Sequence, residues 1–79
     1  MSEFKKVVNS ISELSDDLST PRNLKERLKH ISKLMNQDLE DSLKINKALD
    51  ELDEIVNDNN LEPYTRTQIW NIVSMLESI

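Results

Sequence analysis

The 79-residue chain contains no glycine and no cysteine. Phosphate-cradling loops, dinucleotide fingerprints and nucleophile elbows all need a residue without a Cβ, so those chemistries are excluded. Tight two-residue hairpins lose their preferred residues as well. Without cysteine there is no disulfide and no thiolate metal site. The composition suits a reducing interior, and a cytoplasmic location is expected. Apolar runs such as "IWNIVSML" are short and broken by polar residues, so neither a membrane span nor a signal peptide is expected. Positive charge is scarce: ten Lys and Arg face fifteen Asp and Glu, a net charge of -5. That balance argues against a general affinity for nucleic acid or anionic membrane.

What is present is helical periodicity. Phe4, Val7, Val8, Ile11, Leu14 and Leu18 recur at spacings of three and four, which predicts a helix over 2–19. "LSTPRN" stops it, with Thr20 suited to cap a second helix and Pro21 to its first position. Leu24, Leu28, Ile31 and Met35 predict that helix over 21–35. Asn36 is the candidate left-handed C-cap and Asp38 the candidate cap of a third helix over 39–57. Ile45, Ala48, Leu49, Leu52, Ile55 and Val56 share its face. Leu39 and Leu43 fall near the opposite side at about 100° per residue, so the helix bends, makes contacts on two faces or leaves Leu43 partly exposed; a second contact within the fold is expected ahead of a homo-oligomer through Leu39 and Leu43. "NDNNLEP" is a turn, and Thr65, Ile69, Ile72, Val73 and Leu76 predict a fourth helix over 61–77. Short links make consecutive helices antiparallel neighbours. The fold expected is all-α, a single domain over 1–79 built as an up-and-down four-helix bundle. A faint repeat relates "NQDLED" to "DNNLEP" and places Lys44 and Arg66 in equivalent positions.

No motif specifies catalysis. One histidine, His30, with no Glu three residues before it, makes neither a di-iron site nor a triad. "DNNLEP" resembles the start of a calcium loop, but Pro63 stands where glycine is required and Ile69 where a bidentate Glu is required. The "DELDE" carboxylates (50–54) point mostly to solvent, where they make poor general acids at neutral pH. No catalytic residue, metal or cofactor is expected, and a small carboxylate-based enzyme is the least favoured alternative. Charge is segregated: Arg22, Lys25, Lys29 and Lys33 form a basic strip on the second helix, beside an acidic third helix. Adjacent helices of complementary charge explain this layout more simply than a nucleic-acid accessory surface. On the fourth helix Tyr64 and Trp70 are expected first as amphipathic aromatics that seal the edges of the core; the sharper reading makes Glu62, Tyr64, Arg66 and Trp70 a candidate interaction surface, with Arg66 able to stack on Trp70 or pair with Glu62. Trp, Tyr and Arg are the residues that dominate protein-binding hot spots.

The segments "LDEI" (52–55), Asn57, Asp58, "RTQIW" (66–70) and "SMLE" (74–77), with "TPRN" (20–23) upstream, carry a likeness. On these residues the chain resembles the archaeal uncharacterised protein family 0147. The resemblance implies a small cytosolic four-helix protein with no assigned activity, cofactor or catalytic residue. The function expected is a non-catalytic protein–protein interaction or structural module with an unknown protein partner.

Overall fold

The computed structural model describes residues 2–79; Met1, part of the expected 1–79 domain, lies outside the described residues. Four helices follow in order: α1 (Ser2–Asp16), α2 (Arg22–Met35), α3 (Asp41–Val56) and α4 (Pro63–Glu77). No strand occurs among the described residues. The packed pairs are α1–α2, α2–α3, α3–α4 and α4–α1, while the diagonal pairs do not pack backbone to backbone. This is the up-and-down bundle that short links between amphipathic helices produce. Each helix sends one stripe inward. Ile11, Leu28, Leu52 and Ile69, one from each helix, are wholly buried in a single apolar core.

The helix ends differ from the sequence expectation in instructive ways. α1 stops at Asp16, not Ser19, because side chains capture the backbone beyond it. Asp17 Oδ1 accepts from the Ser19 N–H (2.9 Å) and the Ser19 hydroxyl (2.8 Å). Thr20 does not cap α2. Its buried hydroxyl donates back to the Leu14 carbonyl of α1 at 2.8 Å. Leu18, assigned to the α1 stripe, therefore leaves the helix and is 97% exposed. Asn36 does not adopt the left-handed cap; its φ is -97° and no described residue has positive φ. A Cβ makes that region costly, and Asn36 instead donates its side-chain amide to the Ser32 carbonyl. The N-caps are Pro21, Glu40 and Glu62, all extended and none with a side-chain capping bond. Asp38 thus plays no capping part.

The turns α1–α2 and α3–α4 lie at the same end of the bundle and share a construction. In each an Asp, Asp17 or Asp58, accepts the backbone N–H two residues on and the N–H three residues on. The next helix then begins five residues after that Asp. At the opposite end Lys44 Nζ lies 5.5 Å from the centre of the Phe4 ring. There, α3 starts at Asp41, so Leu39 belongs to the loop and its helical-wheel position does not apply. The Leu39 N–H bonds the Gln37 carbonyl, and its side chain folds back to pack against the core. Of the two leucines named for self-association, Leu43 is the exposed one, at 41%.

Candidate functional site

α4 divides its surface residues between two grooves. Its inward stripe is Thr65, Ile69, Ile72 and Leu76. Tyr64 lies on the α1 side, and Trp70 and Arg66 on the α3 side. The residues grouped as one candidate surface are therefore split across the helix.

Arg66 is turned inward, to the end of α3. Its Nε donates to the Val56 carbonyl at 3.2 Å and its terminal nitrogen to the Asp58 carbonyl at 2.7 Å. The Val56 carbonyl, the last of α3, has no intrahelical donor and belongs to the negative end of the helix dipole, while the Asp58 carbonyl lies in the turn just beyond it. A guanidinium with several fixed donors satisfies both needs at once. Among the described residues Arg66 makes no ion pair with Glu62 and does not stack on Trp70. Glu62 is the exposed N-cap of α4. The sequence signal for this role was faint. Arg66 is the single cation after Lys47, but its partner lies ten residues upstream, across a turn.

Trp70 is 49% exposed and walls a groove of about 250 Å³ between α3 and α4. Leu49 and Val73 line its apolar part, and Asp50, Asp53 and Glu77 its rim. None of these three carboxylates has a hydrogen bond or ion pair among the described residues. The sequence pointed to the tryptophan but not to this rim, since Glu77 meets Asp50 and Asp53 only when α4 lies antiparallel to α3.

Tyr64, 57% exposed, borders a second groove of about 350 Å³ between α1 and α4, lined also by Glu13, Asp17 and Gln68. The Asp17 carboxyl is held below its ordinary range, first by the Ser19 N–H and then by the Ser19 hydroxyl, with smaller help from the Tyr64 hydroxyl and Lys25. A depressed carboxyl contributes stability above its unfolded-state value and loses it as pH falls through its folded-state value. Asp17→Asn is therefore expected to lower the melting temperature at neutral pH. That deficit should close as the pH is taken below the ordinary aspartate range. A deficit that stays constant across a pH series of thermal melts would contradict this account.

The basic strip of α2 stays outward. Arg22, Lys25, Lys29 and Lys33 make no ion pair among the described residues. Two residues beside it, Arg27 and His30, join α2 to α3. Arg27 lies 2.9 Å from Glu54 and 3.9 Å from Glu51, and His30 Nδ1 lies 3.1 Å from Glu51. These pairs are largely solvated, so each contributes at most about 1 kcal/mol, but together they favour this helix pairing. Among the described residues no three His, Asp or Glu side chains converge as a metal site requires. No helix among the described residues is long and apolar enough to cross a membrane.

The chain is 35% identical over 77 residues to a UPF0147 protein of Methanothermobacter thermautotrophicus, covering 96% of this chain and 76% of that one. It is 32% identical to the relative from Pyrococcus abyssi, covering 100% and 99%. A crystal structure of a protein from the uncharacterised family UPF0147 of Thermoplasma acidophilum superposes with a TM-score of 0.90 at 31% identity, covering 98% of this chain and 92% of that one. A second crystal structure, of a protein of unknown function, gives 0.88 at 33% identity, covering 98% and 89%. The model of the uncharacterised protein family UPF0147 matches residues 1–79, and the chain belongs to that family.

Proposed function

We propose that this protein is a non-catalytic interaction module whose contact surface is the α3–α4 edge centred on Trp70. One observation carries the reading. Trp70 is left half-exposed in a groove, while Arg66, its neighbour one turn away, is spent on the fold's own helix end. A tryptophan that the core does not need is the side chain with the most to gain from a partner. Glu62 and Tyr64, the other members of the sequence-level surface, lie away from this groove and are not required by the reading.

The test compares immobilised wild-type protein with Trp70→Ala and Tyr64→Ala. Trp70→Ala is expected to melt within a few degrees of wild type yet retain severalfold less of a bound partner. Tyr64→Ala is expected to retain it. Equal retention by Trp70→Ala, or a collapse of its melting temperature, would sink the reading. Two other readings have less support. A nucleic-acid accessory role for Arg22, Lys25, Lys29 and Lys33 is favoured by their lack of ion-pair partners but opposed by the net charge of -5. A carboxylate enzyme needs an enclosed acid pair, and Asp50 and Asp53 are both exposed.

A further inference from the structure

We propose that the α3–α4 groove receives a basic segment of a partner protein, with an arginine or lysine of that segment set over the Trp70 indole between the carboxylates of Asp50, Asp53 and Glu77. This rests on the reading of the Trp70 edge as the contact surface, and it names the chemistry of the occupant.

Folding leaves acidic charge over. Residues 48–79 hold seven acids against one base, Arg66. Arg66 is fixed on the Val56 and Asp58 carbonyls. Glu51 and Glu54 are taken by Arg27 and His30 across α2. Of the five acids left, Asp50, Asp53 and Glu77 line one groove with no cation of the chain among its lining residues. Three carboxylates around one groove attract an incoming cation. The net charge of -5 also steers a basic partner over longer range.

The shape and surface of the groove suit a cation. An indole face attracts a cation through its quadrupole, and tryptophan does so best among the aromatics. Leu49 and Val73 offer apolar surface on which the aliphatic stem of a lysine or arginine can lie. At about 250 Å³ the groove falls short of the roughly 300–1,000 Å³ of pockets for whole small ligands. It fits a long side chain presented by a larger molecule.

Other occupants are disfavoured by cost. A purely apolar partner helix would desolvate up to three carboxylates without pairing them, which is strongly unfavourable. An acidic partner would add repulsion to that cost. Only a cationic segment uses the tryptophan and the carboxylates together.

Trp70 is the single tryptophan, so its fluorescence reports on the groove itself. The probes are a synthetic amphipathic helix with arginines along its polar face and a twin carrying glutamates in their place. Binding is read both by indole emission and by anisotropy of the labelled peptide, which serves variants without the tryptophan. The arginine peptide is expected to bind and shift the emission, with affinity falling steeply as salt rises, while the glutamate twin does not bind. Trp70→Ala is expected to weaken the arginine peptide tenfold or more, and Asp50→Asn/Asp53→Asn by a similar factor with a shallower salt dependence. Glu26→Gln/Asp38→Asn, which removes equal charge outside the groove, is expected to change affinity less than twofold. Three results would overturn the proposal: no binding of the arginine peptide at low salt, equal binding of the two peptides, or equal loss in both double variants. The cationic proposal fails alone if Trp70→Ala still loses the natural partner while peptide charge makes no difference. Both readings fail if Trp70→Ala keeps every interaction.

Discussion

Leu52→Ala is expected to cost about 3 kcal/mol of folding stability, within the range of roughly 2–5 kcal/mol for buried leucine truncations. Leu52 is wholly buried at the inward face of α3. The residue one turn before it on the same stripe, Ala48, is already small and also wholly buried. Truncating Leu52 therefore leaves methyl groups at two successive wholly buried positions of α3, 48 and 52. A cavity of that kind collapses poorly, because Leu28, Ile11 and Ile69 are held by their own helices. A domain of this size has a total stability of about 4–12 kcal/mol, so the loss consumes a large share of it. Leu18→Ala provides the control, since Leu18 is 97% exposed and its truncation should change stability by less than about 0.5 kcal/mol. Urea denaturation of both variants decides the matter. A Leu52→Ala loss below about 1 kcal/mol, or equal losses for the two leucines, would mean that the core is not packed as described.

Arg66→Met is expected to cost about 2 kcal/mol, which is roughly 10 °C in melting temperature for a domain of this length. Methionine keeps most of the aliphatic stem and removes the five donors. The Val56 and Asp58 carbonyls then lose their charged partner at the negative end of α3. Arg66→Lys should fall between wild type and Arg66→Met, because one ammonium does not reproduce the fork that reaches both carbonyls. Thermal melts at low and high salt separate the contributions. The hydrogen bonds persist in salt, whereas the dipole interaction is screened. A melting temperature of Arg66→Met within about 2 °C of wild type would remove Arg66 from the fold's support and return it to the candidate surface. Arg66→Glu is a poor probe of binding for the same reason, since it places a carboxylate against two carbonyls.

Legibility in the sequence followed the range of the forces involved. The stripes of α2 and α4 were legible because the helical period is local, and every fully buried residue of those helices lies at a periodic position. Helix ends were less so. Thr20 has the chemistry of a cap, but whether it serves the helix before or after it depends on the three-dimensional turn that Asp17 sets. Leu39 and Leu18 were misplaced for the same reason. A wheel position has meaning only inside a helix, and both residues lie just outside one.

By itself the sequence determined the class of protein: four amphipathic helices joined by short glycine-free turns, with no loop chemistry for phosphates, thiolates or nucleophiles. Those are properties of residue type and of spacing within a few residues. The tertiary structure alone decided which charges are spent and which remain. Arg66 reaches a carbonyl ten residues away, and Arg27 a carboxylate 27 residues away. Only helix packing fixes such distances, and packing is what consumes Arg66, Glu51 and Glu54 while leaving Trp70 among three unpaired carboxylates.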